Sequence, residues 1–167
     1  MDTAIISGAS AIGGALVGAL GGGIADWRLE RHRGRLRAKA GARLLRAELS
    51  ISEKRLTAAI RELHWWPFYR MSMQPWNDYR DVMAEELGTE HWTEVSQSVI
   101  ELQALDDGMR TAPTYDPARP LQINMSVGTN MINLRANAIR AFNALADLAE
   151  DDEKLSLSDP PEIGEAV

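Results

Sequence analysis

The sequence predicts an all-α protein: an N-terminal single transmembrane helix running into a long helix that packs in an antiparallel helical bundle of about four helices. Three observations lead there. Residues 4–25 form a 22-residue run without a charge, and about 20 apolar residues span a bilayer core as a helix. Downstream, apolar residues recur at alternating four- and three-residue spacing, the seam of a helix packed against others. No stretch sustains the period-two alternation of a half-buried strand. The expected organisation is an anchor over residues 1–26, a cytoplasmic bundle over 27–151 with a basic juxtamembrane segment at 28–46, and a disordered acidic tail over 152–167.

Seven Arg or Lys follow the uncharged run: Arg28, Arg31, Arg33, Arg35, Arg37, Lys39 and Arg43. A one-sided Arg/Lys cluster sets the orientation of a span. Asp2 precedes the run and the cations follow it, the reverse of a cleaved signal peptide. The expectation is a single-pass protein of the cell membrane, N-terminus outside, with the bulk of the chain cytoplasmic. The run is weakly apolar, because seven glycines and two serines dilute its Ile, Leu and Val. Those small residues are ordered. Ser10, Gly14, Gly18 and Gly22 recur every four residues, and small residues at i and i+4 let helix backbones approach closely. The pattern resembles the glycine-zipper segments of self-associating and pore-forming membrane proteins. That resemblance implies a homo-oligomer, or packing against another subunit of a membrane complex, through the Gly face.

The soluble part follows in order. Ala38, Ala42, Leu45, Leu49, Ser52, Leu56, Ala59 and Leu63 form a bundle seam without an intervening proline. Gly34 and Gly41 are weak points of that helix, each costing about 1 kcal/mol against Ala. Pro67 and Pro75 bound a corner, and Pro75 suits the first turn of a second helix ending near Gly88. Thr89 can cap a third helix over about residues 90–110. Residues 111–120 are a Pro-rich link, and a fourth helix is expected from about residue 120 to 151.

Charge is distributed unevenly. Residues 28–70 carry twelve Lys/Arg against four Glu, +8, and residues 71–167 carry six against eighteen acids, −12. The nearest anionic partner for the basic end is the inner leaflet, where juxtamembrane cations gain about 1 kcal/mol each. Orientation alone also accounts for the run. Nucleic acid is the weakest of the three readings, since no aromatic is interleaved to stack bases. Arg predominates over Lys, as in a GC-rich bacterial genome.

Little chemistry is expected. With no cysteine, disulfides, thiolate catalysis and Cys-ligated zinc are excluded. His32, His64 and His91 lack helix-borne metal spacing, and no phosphate loop or nucleophile elbow occurs. No catalytic residue, cofactor or metal is therefore assigned. Seven of the ten aromatics lie between residues 65 and 92. Among them, Trp65, Trp66, Phe68, Tyr69 and Trp76 form a candidate partner site, because Trp and Tyr dominate interface energetics. The same residues also suit the plugged end of a bundle, although an adjacent Trp pair cannot easily turn both rings into one core. The favoured function is a membrane-anchored helical interaction or scaffold protein docking a cytoplasmic partner at the inner leaflet. The alternative is an oligomeric membrane-permeabilising effector, of lysis or phage-defence type, assembled through the Gly-rich helix.

Overall fold

A computed structural model describes the backbone of residues 2–156 and the side chains of residues 26–156. Its elements are α1 (Asp2–Glu62), β1 (His64–Trp65), α2 (Gln74–Glu86), α3 (Thr89–Thr111), β2 (Leu121–Gln122), α4 (Met125–Ala144) and α5 (Ala146–Ala149). The chain divides into two compact units, one up to Leu36 and one from Arg37. Within the first, the described side chains sit on one stretch of α1. The second is the helical bundle. Among the described residues no helix is long and apolar enough to cross a membrane. The run 4–25, on which the single-pass expectation rests, lies outside the residues whose side chains are described, and so does the face of Ser10, Gly14, Gly18 and Gly22.

The core follows the seam. Ala38, Ala42, Leu45, Leu49, Ser52, Leu56 and Ala59 are all fully buried. They meet Val95, Val99 and Leu102 of α3, Met131, Ala138 and Ala141 of α4, and Met83 of α2 in one continuous cluster. Burial of this apolar surface is the main term holding the bundle together. One polar network lies beside it. Arg135 of α4 donates through Nε to Glu53 Oε1 at 2.7 Å and to Thr57 Oγ1 at 2.9 Å. The Thr57 hydroxyl in turn donates to Glu53 Oε1 at 3.0 Å. The guanidinium of a nearly buried Arg is thereby paired and hydrogen-bonded, as burial of a charge requires.

Local chemistry sets the helix ends. α1 stops at Leu63, whose φ of 51° is left-handed, the conformation that commonly closes a helix. For a residue with a Cβ that conformation costs about 1–2 kcal/mol. It is held by the N–H of Ile123, which donates to Leu63 O at 2.9 Å. β1 and β2 then pair antiparallel, His64 opposite Gln122 and Trp65 opposite Leu121. This two-residue ladder is too short to show in a periodicity. α2 begins with a proline in its first turn, while α3 is capped by Gly88 and not by the side chain of Thr89.

The last helix differs from expectation. α4 starts at Met125, five residues past Pro120, because the Asn124 side chain accepts from Val127 N at 2.9 Å and so caps it there. It ends at Ala144, and α5 ends at Ala149, followed by Glu150, whose φ of 50° is left-handed. Residues 151–155 then lie along the bundle. Leu155 N donates to Asn143 Oδ1 at 3.0 Å, and Asn143 Nδ2 donates to Leu155 O at 3.1 Å. The part of the expected tail up to Ser156 is thus described against the helices. Residues 157–167 lie outside the described residues.

At Gly41, α1 and α2 approach closely. A Cβ built there would stand 2.4 Å from Tyr79 Cβ and 2.7 Å from its Cγ. The residue is absent of side chain because the neighbouring helix occupies that space. At Gly34 nothing lies within 4 Å of such an atom. Gly41→Ala is therefore expected to destabilise by about 1–3 kcal/mol, the overpacking cost exceeding the helix-propensity gain. Gly34→Ala should stabilise by up to about 1 kcal/mol. Urea denaturation of the two variants checks the opposite signs.

Candidate functional site

Two surfaces gather the residues singled out in the sequence. The first is the segment of α1 after the apolar run. Arg28, Arg31, Arg33, Arg35 and Arg37 are exposed there. Trp27 is 59% exposed and the Arg31 guanidinium lies 5.5 Å from its ring centroid, within cation–π range. Trp27, Arg28, Arg31, His32 and Arg35 line one shallow recess. Trp27 was not singled out by the sequence, yet a signal was present: an aromatic stands between an uncharged run and a cationic one.

The other two cations of the run have a different role. Lys39 Nζ pairs with Glu150, and Arg43 Nε donates to Ala149 O at 2.8 Å. Arg46, 2% exposed, continues this row. Its Nη1 donates to Asp151 O at 2.8 Å and lies 2.9 Å from Asp151 Oδ2, its Nη2 donates to Glu153 O, and its guanidinium carbon stands 4.1 Å from the Phe142 ring centroid. The basic stretch therefore divides by function: five arginines face outward, and Lys39, Arg43 and Arg46 hold the C-terminal segment.

The second surface is the corner between α1 and α2. Tyr69 N donates to Trp66 O at 2.9 Å, which closes a tight turn with Pro67 at the position where its fixed φ is favoured. Arg55 Nη1 donates to Arg70 O and ties the corner to α1. The turn separates the aromatics. Trp65 is 1% exposed and packs edge-on against Tyr69, with centroids 5.7 Å apart. Trp76 is buried and stacks on Trp92 at 4.8 Å. Phe68 is 66% exposed and stacks with half-buried Trp66 at 5.5 Å. Trp66 Nε1 donates to Glu62 Oε2 at 2.8 Å. Burial, and then the Glu62 carboxylate, raise the Tyr69 phenol above its ordinary value, so it stays a neutral hydroxyl. Of the five aromatics proposed as a partner site, Trp65 and Trp76 are core, Tyr69 bridges, and Trp66 with Phe68 form an outward pair.

Among the described residues no group of three or more His, Cys, Asp or Glu is placed to hold a metal ion. Comparison with protein-family models, with curated proteins and with solved structures returned no match.

Trp65→Ala should destabilise the fold by about 3–5 kcal/mol, as truncation of a large buried aromatic does. Phe68→Ala should change stability by no more than about 0.5 kcal/mol. Thermal melts of the two variants test this division.

The Lys39 ammonium, mainly by its hydrogen bond and then by its charge, holds the Glu150 carboxyl below its ordinary value. A depressed carboxyl stabilises the folded state above its unfolded pKa, and that contribution disappears as pH falls through the folded value. The C-terminal segment should therefore loosen in acid below about pH 4, the ordinary carboxylate range. Exchange of the Leu155 amide, corrected for its intrinsic rate, should rise there. Lys39→Met should remove that part of the pH dependence.

Proposed function

We propose that this chain is a membrane-anchored helical interaction protein, docking a soluble partner beside the anionic inner leaflet. The observation that carries the proposal is the order of residues along α1. An uncharged run over 4–25 is followed by Trp27 and by Arg28, Arg31, Arg33, Arg35 and Arg37, all exposed. Lipid suits each in turn: apolar residues to the hydrocarbon, the indole to the headgroup level, guanidinium groups to anionic phosphates. Support for a docking role comes from Trp66 and Phe68. They form a stacked, outward aromatic pair on a turn held by Pro67 and Arg55, and rigid aromatics of this kind anchor interfaces.

The four-residue repeat of Ser10, Gly14, Gly18 and Gly22 favours a second role for the same helix, self-association within the bilayer. In that reading the assembled helices permeabilise the membrane, and the bundle is their cytoplasmic part.

Fractionation with a carbonate wash, combined with protease access to a C-terminal tag in intact cells, tests the anchor. The expected result is a membrane pellet with the tag protected. Recovery in the soluble fraction overturns the proposal. Dye release from liposomes that is abolished by Gly18→Leu would favour the permeabilising role over the docking one.

A further inference from the structure

We propose that the surface of α1 and α4 occupied by residues 150–155 is a docking site for an extended acidic peptide of a partner protein, and that the chain's own segment fills it as a displaceable stand-in. The site is separate from the Trp66 and Phe68 pair, and the inference does not depend on the membrane anchor.

Two helices build the site. α1 supplies Lys39 and Arg46, and α4 supplies Asn143. Two of their contacts are to carboxylates: Lys39 Nζ pairs with Glu150, and Arg46 Nη1 stands 2.9 Å from Asp151 Oδ2. The others are to main chain. Arg46 donates to the carbonyl oxygens of Asp151 and Glu153. Asn143 closes both amide bonds on one residue, accepting from Leu155 N at 3.0 Å and donating to Leu155 O at 3.1 Å. The Leu155 side chain, half-buried, packs against the core cluster.

These contacts select the occupant. A side-chain amide that meets the N–H and the C=O of one residue reads a peptide unit and nothing of its side chain. A phosphate diester offers no N–H to Asn143 Oδ1, so a lipid head group leaves that acceptor unmet. Lys39 and Arg46 then require acids, and the core requires an apolar residue beyond them. The segment present states the pattern: two adjacent acids, Glu150 and Asp151, and a leucine four residues after the second.

The same contacts make the segment exchangeable. Asp152, Glu153 and Lys154 are exposed, and Leu155 is the residue of the segment packed on the core. Segments that bury so little open at low free energy. The Arg46 guanidinium, 2% exposed, is costly to leave without acceptors. Replacement by a second acidic peptide is therefore favoured over an empty site. Tethering gives the resident segment an effective concentration on the order of millimolar, which a free peptide must overcome.

The test is fluorescence anisotropy of a labelled peptide with the sequence of residues 150–156, blocked at both ends, titrated with the full chain in nanodiscs or in buffer. Leu155→Pro removes the N–H that Asn143 accepts, and Glu150→Lys sets a cation against Lys39. Each should release the resident segment, seen as faster exchange of the Glu153 amide. The peptide is expected to bind either variant at least about tenfold more tightly than wild type. Within Leu155→Pro, Asn143→Ala should weaken binding about tenfold, the worth of the hydrogen bonds lost. Lys39→Met should weaken it too, and decides the matter if Asn143→Ala lowers the melting temperature. Equal binding to wild type and to both release variants overturns the proposal, as does equal binding of a scrambled peptide of the same composition. Affinity gained by Leu155→Pro for phosphatidylglycerol vesicles and not for the peptide overturns the assignment to a peptide. None of these outcomes turns on whether the chain pellets with membranes.

Discussion

Everything in the bundle depends on one face of α1. Its residues from Ala38 to Ala59 are small or branched at alternating spacing and wholly buried. Alanines at Ala38, Ala42 and Ala59 keep the helix surface low, and Gly41 lowers it to the point where Tyr79 touches the backbone. Leu45, Leu49 and Leu56 between them join residues of α2, α3 and α4 in one core cluster. Close packing of this kind tolerates little added volume, because a dense interior transmits every methyl group to its neighbours. The seam therefore fixes both which elements surround α1 and how near they stand.

Arg46 adds a constraint of another sort. A guanidinium inside the protein is costly unless every direction of its charge is met. Here Phe142 covers one face, Asp151 supplies a counter-charge, and the backbone oxygens of Asp151 and Glu153 accept from Nη1 and Nη2, while the buried Nε has no hydrogen-bond partner. These contacts hold the chain where it returns after α5. The left-handed Glu150 makes the reversal, and Asn143 secures it at Leu155. Of the acidic tail expected to be disordered over 152–167, Glu153 and Leu155 are hydrogen-bonded to the helices, while Asp152, Glu153 and Lys154 stay exposed.

The outer features can be ranked by how far packing explains them. Trp65 and Trp76 are accounted for by the core they fill. Trp66 and Phe68 are not: they stack on each other, and Phe68 remains mostly in water. The groove between α3 and α4 is similar. Its wall joins buried Met109, Leu121 and Ile123 to half-buried Leu105, Val127 and Leu134.

The sequence by itself determined the helical class, the seam of α1, the corner at Pro67 and the junction of an apolar run with a cationic one. Those signals are local, carried by periodicity and by residues of restricted backbone, and survive without knowledge of neighbours. Only the tertiary structure decided the rest. Lys39 and Arg43 resemble the arginines before them in type and spacing, yet their partners stand more than one hundred residues away. Trp65 and Trp66 are the same residue, and a turn sends one inward and the other out. Gly41 read as a weak point of a helix, and its value became legible only when Tyr79 was placed against it. The breaks at Leu145 and Glu150 carry no Gly or Pro. Whether a residue serves the core, a contact or the surface depends on what lies opposite it, and a linear sequence contains the residue without its opposite.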